Sequence, residues 1–250
     1  MPVTVDMINA LVRDMAPVEL AEPYDNVGLL AGHPNWSVER VLCALDLTPP
    51  VLREAEQIGA QLIVTHHPIL FHARKNLRED DPEGALLCAL VRSGRALIAA
   101  HTNFDAAEPG VNDCLAGELG LDAVRALEHG MRVGSWSGTL EALAAHCERR
   151  LGAVVRRYGA CGAVERVAVM GGAGSEFWPL ALAAGAQVYL TGEVRHHDAL
   201  AAVQAGLAVL EAGHYHTERI SVKGLRNGLQ TRINALQYNV RVFESSAASF

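Results

Sequence analysis

The chain has 250 residues, half of them hydrophobic and 5% aromatic, with a formal net charge of −7. That length suits one large domain or two of ordinary size, and no apolar run approaches the ~20 residues that a membrane-spanning helix needs. The start M-P-V-T-V-D lacks a signal peptide's basic and apolar regions, so a soluble, cytoplasmic protein is expected, and the acidic balance argues against nucleic acid as the main partner, because such binding draws on Lys and Arg.

In chain order, Thr4 can cap a helix to about Met15, with Ile8, Leu11, Val12 and Met15 on one face. Two prolines and Asp25-Asn26 break it, and residues 27–30 read as a short strand. Residues 41–45 form the next strand. Pro49 and Pro50 open a helix to about Ile58, where proline is tolerated in the first turn. Gly59 closes it, and residues 62–65 are a strand running into His66-His67-Pro68. Asp81-Pro82 starts a helix ending near Ser93-Gly94. Residues 96–100 form a strand followed at once by H-T-N-F-D, and residues 110–119 form a helix closed by Gly120. The glycine-rich residues 130–138 include a strand, residues 139–151 form an amphipathic helix, and residues 154–158 form a strand.

The second half then repeats the first. Residues 40–65 align without gaps on residues 166–191, an offset of 126 positions. Arg40/Arg166, Val41/Val167, Ala55/Ala181 and Thr65/Thr191 are identical, and G-A-Q recurs at residues 59–61 and 185–187. Strands alternating with helices imply βαβ units. The expected fold is therefore α/β, with two related halves facing each other across a cleft, residues 1–128 and 129–250, the boundary being a soft one.

Ligands of such sheets bind beyond the carboxyl ends of the strands. Four strand ends here are polar in a matching way: Thr65-His66-His67; His101-Thr102-Asn103-Phe104-Asp105; Thr191-Gly192-Glu193 followed by His196-His197-Asp198; and Gly213-His214-Tyr215-His216-Thr217-Glu218. Seven of the 11 histidines fall in these stretches. Imidazole with carboxylate suits zinc, iron, manganese, nickel or cobalt. His214 and Glu218, four apart, share a face if the stretch is helical. A carboxylate beside several histidines is also what a two-metal site requires, since it can bridge both ions.

Other features read more plainly. Cys43, Cys88, Cys114, Cys147 and Cys161 are widely spaced without a C-x-x-C pair, as reduced buried thiols would be. His33, His72, His129 and His146 are expected to be solvated or packing residues, and His216 to have a pocket-rim or packing role. Tyr24, Asp25, Asn26 and Gly28 suit a turn that supports the site. The glycine loop at residues 171–174 lacks the Walker lysine, although such a loop opening a helix could hold an anion on its backbone N–H groups. Arg219, Lys223, Arg226 and Arg232 make a locally basic segment, either a solvated face or a contact for a phosphate-bearing ligand or another subunit.

The motifs Y-D-N-V-G-L-L-A-G (residues 24–32), T-H-H-P (65–68), A-H-T-N-F-D (100–105), T-G-E-V-R-H-H-D-A (191–199) and G-H-Y-H-T-E (213–218) together resemble the Nif-three-like dinuclear metal-centre family, often catalogued as GTP cyclohydrolase 1 type 2 homologues. The resemblance spans nearly the whole chain in order. It implies two divalent transition-metal ions in the cleft between the halves. His67 and Asp105 would hold one, His66 and His214 the other, with Glu218 bridging. It also implies a ring-shaped homohexamer. This chain is too short for the domain that longer relatives insert between the halves. It carries Tyr24 where the family often has Trp, and Glu193 where it often has Asp.

The function these features lead to is a metal-dependent hydrolase acting on a nucleotide or another phosphate-bearing small molecule, with Glu193 or His197 relaying a proton. The rival expectations are a non-enzymatic metal carrier, which would release its metal readily and turn nothing over, and a ring-shaped regulatory scaffold.

Overall fold

The computed structural model describes residues 2–247. Its strands in chain order are β1 (Gly28–Ala31), β2 (Arg40–Ala44), β3 (Leu62–Thr65), β4 (Ala96–Ala99), β5 (Asp122–Ala126), β6 (Arg132–Thr139), β7 (Arg156–Tyr158), β8 (Ala163–Met170), β9 (Val188–Thr191), β10 (Ala208–Glu211) and β11 (Arg241–Glu244). The helices are α1 (Val5–Met15), α2 (Pro49–Gln57), α3 (Pro82–Arg92), α4 (Thr102–Ala106), α5 (Val111–Glu118), α6 (Leu140–Leu151), α7 (Trp178–Ala183), α8 (His196–Gln204) and α9 (His214–Ala235). Among the described residues no helix is long and apolar enough to cross a membrane.

The architecture is mixed α/β with two sheets, one in each of two compact units. The first unit is Met1–Ala107 with Val222–Phe250, and the second is Glu108–Ser221. Residues 108–128, assigned from sequence to the first half, lie in the second unit, and the described residues from 222 on return to the first. The return has a direct cause. β11, which the hydrophobic pattern does not announce, pairs in parallel with β2, Val242 opposite Val41.

The first sheet has the order β1-β4-β3-β2-β11, and only β1 runs antiparallel to its neighbour. β3 is at its centre, and all four of its residues are buried. Local chemistry sets the helix starts. Thr4, Thr48 and Asp81 accept the N–H of Met7, Val51 and Gly84 respectively, and Pro49 and Pro82 follow their caps. Leu42, Ala44, Ile63 and Leu97 on one sheet face pack with Val51, Leu52 and Ala55 of α2 and Leu90 of α3.

The second sheet runs β5-β6-β8-β9-β10-β7, with β8, β9 and β10 parallel and the flanking strands antiparallel. Val167, Val169, Val188 and Leu190 belong to one hydrophobic cluster, while the intervening Ala168, Met170 and Tyr189 belong to another. Side chains alternate across a strand, so both faces of this sheet are covered. α6 covers one face with Leu140, Leu143, Cys147 and Leu151, and Thr139 caps it by accepting the N–H of Ala142.

Each unit contains the same set of local bonds. Gln61 Oε1 accepts the N–H of Glu39 and Arg40, both at 2.9 Å. Gln187 Oε1 accepts those of Glu165 at 3.1 Å and Arg166 at 2.8 Å. Arg40 and Arg166 each donate from Nη1 to a carbonyl at the end of the intervening helix, Ile58 and Ala184, at 3.1 Å. The parallel registers match as well, Ala44 opposite Thr65 and Met170 opposite Thr191.

Candidate metal centre

In the first unit, β3 ends at Thr65 and the chain bends at the next two residues, whose N–H groups remain bonded to the end of β2 and the residue after it. His66 N–H donates to Ala44 O and His67 N–H to Leu45 O. The two imidazoles lie close together but have different hydrogen-bond partners. His66 is buried, and its Nδ1 lies 2.9 Å from Ala100 O. Its Nε2 lies 3.6 Å from Asp105 Oδ1. His67 Nδ1 lies 2.7 Å from Asp46 Oδ1, a carboxylate just beyond the end of β2. His101 follows β4, and its Nδ1 lies 2.8 Å from Asp25 Oδ1.

These three rings converge. Their centroids are 4.9 Å apart for His66 and His67, 5.2 Å for His66 and His101, and 5.5 Å for His67 and His101. One nitrogen from each falls in a group whose members all lie within 4.8 Å of one another. A ring nitrogen facing an oxygen acceptor carries the proton. The Nδ1 contacts therefore fix the tautomer and leave Nε2 as the lone-pair donor, the arrangement that oxygen acceptors behind metal-binding histidines create.

Asp25 anchors this side. Its side chain is fully buried. Besides His101, it accepts the N–H of Asn26, the N–H of Thr102 at 3.0 Å and the hydroxyl of Thr102 at 2.5 Å. Burial by itself pushes its pKa up, but the hydrogen bonds from His101 and Thr102, the His101 charge and the Asn26 amide outweigh it and hold the carboxyl well below the usual range. Asp25 thereby caps α4 from 77 positions upstream. This is why the H-T-N-F-D stretch forms a short helix that carries Asp105 back toward His66. Asn103 is buried within it, donating to Ala16 O at 2.7 Å and accepting the His101 N–H at 2.9 Å.

In the second unit, α9 begins at His214, so His214 and Glu218 lie one turn apart with Nε2 and Oε2 separated by 3.1 Å. His214 Nδ1 faces Glu193 Oε1 at 3.2 Å, the same relation that His67 has with Asp46. The Glu218 carboxylate is only 5% exposed. Gly172 makes room for it: a Cβ there would collide with Glu218 Oε1 and approach His214 Nε2 to 3.3 Å, and its φ of +63° is left-handed.

The glycine loop does not form the anion cradle considered from sequence. Gly171 N–H donates to Asn112 Oδ1, Gly172 N–H to Thr217 Oγ1 and Gly174 N–H to Thr191 Oγ1. Three of its donors are thus committed, and the loop instead shapes the space around Glu218. Thr191, proposed near the chemistry, is buried and serves this loop. Glu193 stands beside His214, with its side chain 58% exposed. His197 is exposed in the first turn of α8, its ring 5.2 Å from His196, and it joins none of the donor groups. His216 Nδ1 meets Leu151 O at 3.2 Å, a packing contact.

Two contributors escaped sequence reasoning in part or whole. His101 is outside the ligand set that the resemblance implies, yet one of its ring nitrogens groups with those of His66 and His67. Asp46 was not singled out, although its position at the carboxyl end of β2, level with Thr65-His66-His67 on β3, was the available signal. The five cysteines are free thiols. Burial pushes Cys114 up to about 11 and Cys147 up to about 12, so both stay protonated near neutrality and are poor metal ligands.

The model of the Duf34/NIF3 (NGG1p interacting factor 3) family matches residues 3–249. A Clostridium perfringens protein named GTP cyclohydrolase 1 type 2 homolog is 31% identical over 226 residues, covering 85% of this chain and 86% of its own. A Streptomyces coelicolor protein of the same name is 37% identical over 235 residues, covering 87% of this chain and 82% of its own. Among solved structures, a Staphylococcus aureus protein superposes with a TM-score of 0.94 at 28% identity, covering 99% of this chain and 97% of its own. A Bacillus cereus protein related to NIF3 has the same fold, with a TM-score of 0.94 at 24% identity, covering 100% of this chain and 98% of its own.

Proposed function

The chain belongs to the Duf34/NIF3 family, and on that premise we propose that it is a metal-dependent hydrolase whose two divalent transition-metal ions are held by His66, His67, Asp105, His214 and Glu218. The observation that carries this reading is the common state of the imidazoles. His66, His67, His101 and His214 each set Nδ1 against an oxygen (Ala100 O, Asp46, Asp25 and Glu193), and His66 and His214 bring Nε2 to the carboxylates of Asp105 and Glu218, at 3.6 and 3.1 Å. Histidines placed only for packing have no need of such matched oxygen partners.

Bound ions would lower the pKa of a water and polarise a phosphoryl or carbonyl-like centre, with zinc, iron, manganese, nickel and cobalt all suited to this donor set. The chain's own residues do the rest. Glu218 offers two carboxylate oxygens, as a bridging ligand must. Asp46 and Glu193 stand behind the Nδ1 atoms of His67 and His214 and orient the two rings. Glu193 is exposed and can also take a proton from the site, a role for which it is better placed than His197. The substrate is proposed as a nucleotide or other phosphate-bearing small molecule, by analogy with the relatives' name. The two sheets are read as copies of one ancestral unit, and the assembly as a homohexamer.

Element-resolved metal analysis of protein purified without chelators, paired with turnover assays on GTP, other nucleotides and phosphoesters, tests this. Two equivalents of metal per chain and metal-dependent turnover are expected. His67→Ala should lose both while keeping its circular dichroism and urea midpoint. Undiminished turnover in that variant would overturn the hydrolase reading.

A further inference from the structure

Two residues of the basic stretch picked out in the sequence, Lys223 and Arg226, line a groove in the first unit whose wall contains no histidine. The groove, about 500 Å³, runs between the later turns of α9 and the edge strand β11, with Lys223, Arg226, Gln230, Arg241 and Glu244 in its wall. That volume is within the range of small-molecule sites. Lys223, Arg226 and Gln230 follow one helix face at spacings of three and four. Gln230 joins the helix to the strand, with Oε1 accepting Val242 N–H at 2.9 Å and Nε2 donating to Val240 O at 3.2 Å. The cations therefore project from a braced wall.

The charge of this wall runs against the rest of the molecule. Three cations face a single acid, Glu244, in a protein whose formal net charge is −7. Several arginines elsewhere find carboxylates, as Arg150 does with Glu118 at 3.1 Å, Arg132 with Asp113 at 2.7 Å and Arg232 with Asp14 at 2.6 Å. Lys223, Arg226 and Arg241 form no ion pair among the described residues, and the partner of Arg226 is the neutral Asn227 Oδ1 at 2.7 Å. Cations held together in a concavity without counter-charges repel one another and raise the local potential, a cost that a bound anion removes. Guanidinium groups match phosphate oxygens in pairs, and an ammonium adds a point charge.

We infer that this groove binds a small molecule through a multiply charged phosphate group of the diphosphate kind, gripped by Lys223, Arg226 and Arg241. Glu244 would repel phosphate at its own end and so set the direction in which the ligand lies. The inference is independent of the metal reading, because none of these residues belongs to the histidine–carboxylate set.

Titration calorimetry of the full-length protein with pyrophosphate tests it. The wild type should bind, with affinity falling steeply as salt rises. The Lys223→Ala/Arg241→Ala double variant should bind at least tenfold more weakly, and Arg241→Glu alone should reduce binding comparably. His67→Ala should bind as the wild type does, which separates this groove from pyrophosphate captured at the metal centre. Wild-type affinity in the double variant, or no binding by the wild type at low salt, would overturn the inference. So would a change of sedimenting mass in the double variant, which would make the groove a contact between copies of the chain.

Discussion

The turn after Thr65 and the turn after Thr191 begin alike and end differently. Both strands are buried, both threonines close a parallel register, and both segments start from a glutamine that accepts two backbone N–H groups. Then His66 stands where the second unit has Gly192. A Cβ at Gly192 would lie 2.5 Å from Gly172 O, 2.8 Å from His214 Cα and 2.8 Å from Thr217 Oγ1. The start of α9 occupies the space that the imidazole would need. The same exchange occurs one strand over, where Asp46 faces His67 in the first unit and Gly172 gives way to Glu218 in the second. The first unit thus carries His66 and Asp46 at its strand-end turns, where the second has glycines that leave room for His214 and Glu218.

The comparison breaks most readily at Gly192. Gly192→Ala forces a methyl group against backbone and should cost about 3 kcal/mol, at the upper end for overpacking. Urea unfolding would show it, and a loss below about 0.5 kcal/mol would mean that the turn is not closed to side chains. Gly172→Ala should cost about 2 kcal/mol, from its left-handed φ and from displacement of the Glu218 carboxylate, and bound metal should fall with it. Metal retention at the wild-type level would separate this glycine from the donor set.

Asp46→Asn keeps the shape while removing the charge behind His67. It should weaken metal affinity ten- to a hundredfold, as read by competition with a chromogenic chelator, and leave the urea midpoint nearly unchanged. The shared part of the two units is sharpened by a matched pair. Gln61→Ala and Gln187→Ala should each destabilise by about 1–2 kcal/mol through lost backbone partners, and a large inequality would show that the two copies of this bond set are not equivalent.

The smallest expected effect lies where the units differ away from the site. Glu54 on α2 accepts hydrogen bonds from Ser245, Ser246 and Ala247, and they lower its pKa against the opposing effect of partial burial. A carboxyl held below its unfolded pKa adds stability above that pKa, about 4.3, and loses it as pH falls through the lower folded value. Wild type should exceed Glu54→Gln in stability at pH 6, by a small margin because the group is largely solvated, and the margin should vanish near pH 3.

Much of this was legible in the residues because it is local. Thr4, Thr48, Asp81 and Thr139 announce helices through bonds to residues three positions on, and the run at residues 62–65 announces a buried strand with two histidines at its exit. β5 was missed because four of its five residues are exposed and its register shifts, so no alternation marks it. β11 was missed because its strand partner, β2, lies about 200 positions earlier in the chain.

What the sequence determined by itself was the alternation of strands and helices, the 126-position echo between the halves, and the gathering of histidines and carboxylates at strand ends, since periodicity, capping and composition act over a few residues. What only the tertiary structure decided was which of those groups meet. Asp25 makes residues 102–106 a helix, Asp46 fixes His67, and two glycines yield their space to Glu218 and His214. Those outcomes depend on hydrogen bonds and steric contacts between segments far apart in the chain, and no local pattern encodes them.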